Sequence, residues 1–159
     1  MDTDIRIISA RPLFPDAEAR VPLKFGAVVV EKLPFCHVKV EVENCKGDRA
    51  VGWGAMFLMD LWAWPVSPVP HEQRSQAMIA TTRALCKLYE ESGECGHPIE
   101  LYQRLEPSFQ DLAERVCAEL KLEEAMPLLC TLVCASPTGR ARSKPGCPDT
   151  TGPSRADRR

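Results

Sequence analysis

The chain has 159 residues, a formal charge of −2, 45% apolar residues and only 6% aromatic ones, which suits one ordinary domain or a smaller domain with an extension. Its first residues, MDTDIRIISARP, have no basic-then-apolar leader, and no run approaches the roughly eighteen apolar residues of a membrane span, so a cytoplasmic location with no membrane partner is expected. Eight cysteines stand without one Cys-x-x-Cys spacing, which argues against a zinc ribbon and points to reduced thiols, several of them used as small core residues.

In chain order, residues 4–14 open as a strand carrying Ile5, Ile7 and Leu13 and end at Pro15. Residues 21–32 hold an apolar run, but Pro22, Gly26 and Pro34 make it read as a shaped loop between strands. Next comes the clearest pattern in the chain. Cys36, Val38, Val40 and Val42 alternate with His37, Lys39, Glu41 and Glu43, the period of a strand with one dry face and one wet face. Residues 44–49 supply a turn, with Gly47 free to take positive φ and Asn44 and Asp48 able to bond nearby backbone. Residues 50–57 return as a second strand, interrupted by Gly52-Trp53-Gly54.

Residues 61–70, rich in tryptophan and proline, read as a non-helical connector, because Pro68 and Pro70 fix φ and remove donors. A helix then starts near His71, carries Met78, Thr82, Leu85 and Tyr89 on one face, and stops at Gly93. Pro98 opens a second helix with Leu101 and Leu105. Pro107 opens a third, striped by Phe109, Leu112, Val116, Cys117 and Leu120. Residues 126–134 form a fourth, almost wholly apolar helix that needs burial on most sides, with little chain left to bury it. From Ala135 onward there is no periodicity and no aliphatic side chain larger than alanine, so the segment cannot offset the entropy of ordering. The expectation is an α+β fold over residues 1–134, a three-stranded antiparallel sheet followed by a helical bundle. A disordered basic tail over 135–159 completes the chain. That tail holds six basic residues against two acidic ones, so the rest of the chain carries a surplus of six negative charges.

Several chemistries can be weighed against plainer readings. His71-Glu72 begins a zinc-protease motif, but the position of its second histidine is Ser75. His71 is then a polar residue near a helix start. His37 lies on a wet strand face, and His97 precedes Pro98 in a turn. Cys130 and Cys134 share a helical face, yet no second pair completes a zinc site, so they read as core. Gly52-x-Gly54 lacks the third glycine and the following helix of a dinucleotide fingerprint. The basic tail has no aromatic residues, so it reads as solvated, not as a nucleic-acid surface. No catalytic residue and no metal ligand can be singled out.

Taken together, IRIISARPLF, VPLKFGAVVV and HVKVEVENCKGDRAVGWGA, followed by a proline-rich connector and helices, resemble the N-terminal capping domain of the enolase superfamily, on its mandelate racemase and muconate lactonizing enzyme branch. The resemblance spans about residues 4–136. It departs at Ala55, where many relatives carry glutamate. It implies a cap that closes over a catalytic barrel, where lysine or histidine bases abstract a proton α to a carboxylate beside a bound Mg²⁺. A barrel needs about 200 residues, and nothing after Cys134 can form its first unit. Lys24, Phe25, Trp53 and Met56 would then be substrate-specificity contacts and not catalysts, with core packing an equal reading for the last three. The chain would carry no cofactor of its own, although the full-length family uses Mg²⁺. Its partner would be the missing barrel or another protein subunit, and a small carboxylate would bind only with that barrel. The Arg, Pro, Gly, Ser and Ala bias of the tail suits a GC-rich gene read out of frame, with a change of frame near Ser136 or Pro137. A reading from a different class is a stand-alone interaction module that docks through the apolar helix 126–134.

Overall fold

A computed structural model describes residues 4–25 and 28–140. Five strands and five helices follow in the order β1 (Ile5–Leu13), β2 (Asp16–Phe25), β3 (Val28–Asn44), β4 (Arg49–Phe57), α1 (Asp60–Ala63), α2 (His71–Ser92), β5 (Cys95–Gly96), α3 (Pro98–Leu105), α4 (Phe109–Glu119) and α5 (Leu128–Arg140). The fold is α+β, sheet first and helices after.

The sheet is built on β3. Its second half pairs antiparallel with β1 on one side and β4 on the other, and β1 pairs in turn with β5. Its first half pairs with β2 in a separate ribbon, where Leu23, Lys24 and Phe25 face Val30, Val29 and Val28. The main sheet therefore has four strands and not three, and β2 adds a fifth. The expected loop at 21–32 is ribbon because its prolines occupy tolerated places. Pro22 falls in the register shift between Glu18 and Leu23, on a strand that pairs on one side only. Two-residue β5 is too short to show any period in sequence.

The dry face is as read from the alternation. Cys36, Val38, Val40 and Val42 are each at most 2% exposed. The turn after them is closed by Asn44, whose Oδ1 accepts from the backbone N–H of Lys46 and Asp48, both at 2.9 Å. Gly47 stands at φ 84°, where a side chain would be strained.

The helices cover this dry face. α2 ends on Gly93 at φ 60°, the left-handed cap expected there, and its Ala77, Met78, Leu85, Cys86 and Tyr89 are buried. His97 caps α3 by accepting from the N–H of Ile99. Residues 61–63, expected in the non-helical connector, form one helical turn together with Asp60, since Pro65 blocks continuation beyond Trp64 but not the turn before it. α5 is not short of cover. It lies between the sheet and the helices α2 and α4, with Cys130, Thr131, Val133, Cys134 and Ala135 all buried. It also runs six residues past the expected boundary at 134, burying Pro137 and Thr138 as well. The remainder of the expected tail, 141–159, lies outside the described residues.

Candidate functional site

The four residues singled out in sequence do not share one place. Trp53 sits on the outer face of β4 opposite Lys39 and is 45% exposed. Met56 sits opposite Cys36 and packs against the core from the inner side. Lys24 is exposed on β2 opposite Val29. Along β3 the partners Val29 and Lys39 are ten residues apart, or about 33 Å on an extended strand. Phe25 lies on β2 opposite Val28, and its side chain is outside the described residues. Lys24 and Trp53 thus occupy the ribbon and the main sheet respectively.

Around Trp53 the outer face of β4 is unusually apolar for a wet surface. Val51, Trp53 and Phe57 share this face, with Ala55 between the last two, and each of the three is 40–45% exposed. The Phe57 ring meets Phe35 across the pair at a tilt of 55° with ring centroids 4.6 Å apart, and Phe35 meets His37 edge-on at 4.4 Å. The inner face explains the flanking glycine. A Cβ on Gly54 would lie 1.7 Å from the carbonyl oxygen of Pro137 on α5, so Gly54 lets helix and strand meet backbone to backbone.

Sequence reading missed a polar cluster at the join of α1 and α2. Asp60 is 1% exposed and accepts from Arg74 Nε at 2.7 Å, while His71 Nδ1 lies 2.9 and 3.0 Å from its two oxygens. Arg74 also donates Nη1 to the carbonyl of Val69 at 3.1 Å. Nearby, Glu124 accepts from the Trp64 indole at 3.2 Å and from Ser67 Oγ at 2.5 Å. An Asp–His pair can serve acid–base chemistry, but here Arg74 shares the carboxylate and fixes it between two helices. The arrangement is a brace. Its partners are 11 and 14 residues apart, and no spacing rule marks them.

The thiols divide by exposure. Cys36, Cys86, Cys117, Cys130 and Cys134 are buried, whereas Cys45 and Cys95 are exposed. Burial, with Cys86 nearby, pushes the Cys36 thiol up to about 12. Burial also raises Cys86 to about 11 against the lowering effect of its contact with Thr138. Cys134 is raised well above its ordinary value by burial and by Cys130 beside it. Such thiols stay protonated and unreactive, and the full burial of Cys130 and Cys134 suits the core role read for them.

Among the described residues no three His, Cys, Asp or Glu side chains converge as a metal site. The Mg²⁺ that the resemblance implies for the full-length family finds no donor set among them. No described helix is long and apolar enough to cross a membrane.

The class defined by this architecture is a small α+β domain, sheet first and helices packed on one face. No family model and no curated protein matches the sequence. Among solved structures, the chain is similar to an enolase from Bradyrhizobium complexed with magnesium and mandelic acid, at 15% identity and a TM-score of 0.43, over 76% of this chain. The chain spans 30% of that structure's length.

Proposed function

We propose that this chain is a substrate-capping domain whose catalytic groups are supplied by a second body, and that alone it performs no catalysis. The observation that carries this reading is the ribbon of β2 and the first half of β3. Among the described elements β2 has substantial contacts with β3 alone, and the ribbon holds Val21, Leu23 and Val29 in solvent at 75%, 47% and 56% exposure. Val30 of the same ribbon is buried at 7% exposure, but a ribbon with three apolar side chains in solvent is suited to closing over something else. Lys24, exposed between Leu23 and Phe25, would add a positive charge for an anionic substrate such as a small carboxylate. Trp53 lies on the main sheet and would contact the second body or its substrate from there, whereas Met56 serves the core. By the resemblance of its strand and Gly-Trp-Gly segments, the second body would be a barrel that abstracts a proton α to a carboxylate with Mg²⁺. Docking through α5 is the weaker reading, because most of that helix is buried within the chain and mainly Leu128 and Leu129 face outward.

Two measurements test this. The purified chain, given Mg²⁺ and small 2-hydroxycarboxylates in D₂O, is expected to exchange no α-proton, and turnover would overturn its non-catalytic role. DNA downstream of codon 136, read in all three frames, is expected to encode a Lys-x-Lys pair and spaced Asp and Glu codons. Finding no such barrel would overturn the identity of the second body.

A further inference from the structure

Cys45 and Cys95 are distant in sequence and adjacent in space. Cys45 begins the turn that follows β3, and Cys95 opens β5. Both strands flank β1, where Glu43 and Cys95 pair with Arg6 from opposite sides. Since side chains two apart on a strand share a face, Cys45 follows Glu43 onto the face shared by Arg6 and Cys95. Their sulfurs are 3.7 Å apart. They are also the only exposed pair among the described cysteines, the other five being buried. Nothing in the capping role requires this placement.

We propose that Cys45 and Cys95 form a thiol–disulfide exchange site, which low-molecular-weight disulfides convert to a cross-link clipping β5 to the central hairpin. In the first step one thiolate attacks the small disulfide RSSR, forming a protein–S–SR bond and expelling RS⁻. In the second step the other thiolate attacks the protein sulfur of that bond, forming the Cys45–Cys95 bond and expelling a second RS⁻. Two protein thiols are oxidised and one RSSR is reduced to two RSH, which carry away the two protons. The sulfurs must approach from 3.7 Å to about 2.05 Å. The elements that carry them, a turn and a two-residue strand, are the shortest that could yield. Attack needs a thiolate, and contact with Cys45 raises the pKa of Cys95. Once either thiol has attacked, the other, 3.7 Å away, resolves the mixed disulfide.

The test uses the full chain, purified under reductant and then exposed to oxidised glutathione. The expected result is the loss of two free thiols and one cross-linked peptide pair containing Cys45 and Cys95, reversed by dithiothreitol. The urea midpoint of the oxidised chain should rise above that of the reduced chain. Cys45→Ser should instead leave one glutathione held on Cys95. Glutathione persisting separately on both cysteines of the unmodified sequence would overturn the proposal. Cross-links scattered over the buried cysteines would overturn it too, and a correct cross-link with no rise in midpoint would remove its clipping role. The peptide mapping is made on the natural sequence, so its outcome does not depend on any variant folding.

Discussion

Gly54 and Gly47 are both required, for different reasons. At Gly47 the backbone has φ 84° and open space around the missing Cβ, so the constraint is conformational. At Gly54 the constraint is space, because the carbonyl of Pro137 already occupies the Cβ position at 1.7 Å. Gly47→Ala is expected to lower stability by about 1 kcal/mol, the strain of a left-handed alanine. Gly54→Ala has to part β4 from α5 and should cost about 3 kcal/mol, at the upper end for overpacking. Urea denaturation of both variants measures the difference, and equal losses would mean α5 yields without resistance. The same comparison bears on Gly-Trp-Gly as a motif. Its second glycine answers to packing within the chain, while Trp53 between the two points outward.

β3 is one strand with two lives. Its second half is sandwiched between β1 and β4 and roofed by helices, and its first half has β2 for company and little else. Amides of β2 are therefore expected to exchange hydrogen far faster than those of β3 beyond Cys36, since local opening of the ribbon exposes little apolar surface. Native-state exchange followed by mass spectrometry measures this, and equal protection would mean that the ribbon is packed onto the body. Elements with a strong local period were legible in sequence. The valines of β3, the Asn44–Gly47 turn, the Gly93 stop of α2 and the Pro98 start of α3 all lie where local physics puts them. β2 was hidden by Pro22, which a one-sided strand tolerates, and β5 by its two-residue length. The last turns of α5 were hidden by composition. Ser136, Pro137 and Gly139 are poor helix formers, yet burial of Ala135, Pro137 and Thr138 carries the helix through them. The Asp60 brace and the Cys45–Cys95 pair were illegible because long-range packing alone creates them.

For the whole molecule, the buried thiols set a limit at alkaline pH. Below about 9, the ordinary thiol value, these groups are protonated in both folded and unfolded chains and contribute no pH dependence. Above it the unfolded chain releases its protons, while Cys36 and Cys86 keep theirs until about 12 and about 11. The unfolded state then binds fewer protons than the folded state, so stability falls as pH rises through this window. The urea midpoint should be lower at pH 10.5 than at pH 8, and Cys36→Ala should reduce the slope. An unchanged midpoint would mean that these thiols meet water in the folded chain.

The place of β1 in the sheet has a consequence for the chain as it leaves the ribosome. β1 is made before both strands that flank it, β3 and β5, and Ile5 pairs with Asn44 on one side and Gly96 on the other. At typical synthesis rates Gly96 follows Ile5 by about 5–20 s. The β3–β4 hairpin, which closes locally within microseconds, can dock β1 on one side well before that. Through the interval the other edge of β1 and the dry face beneath it stand open, so the nascent chain is most prone to aggregate before α2 and β5 have emerged.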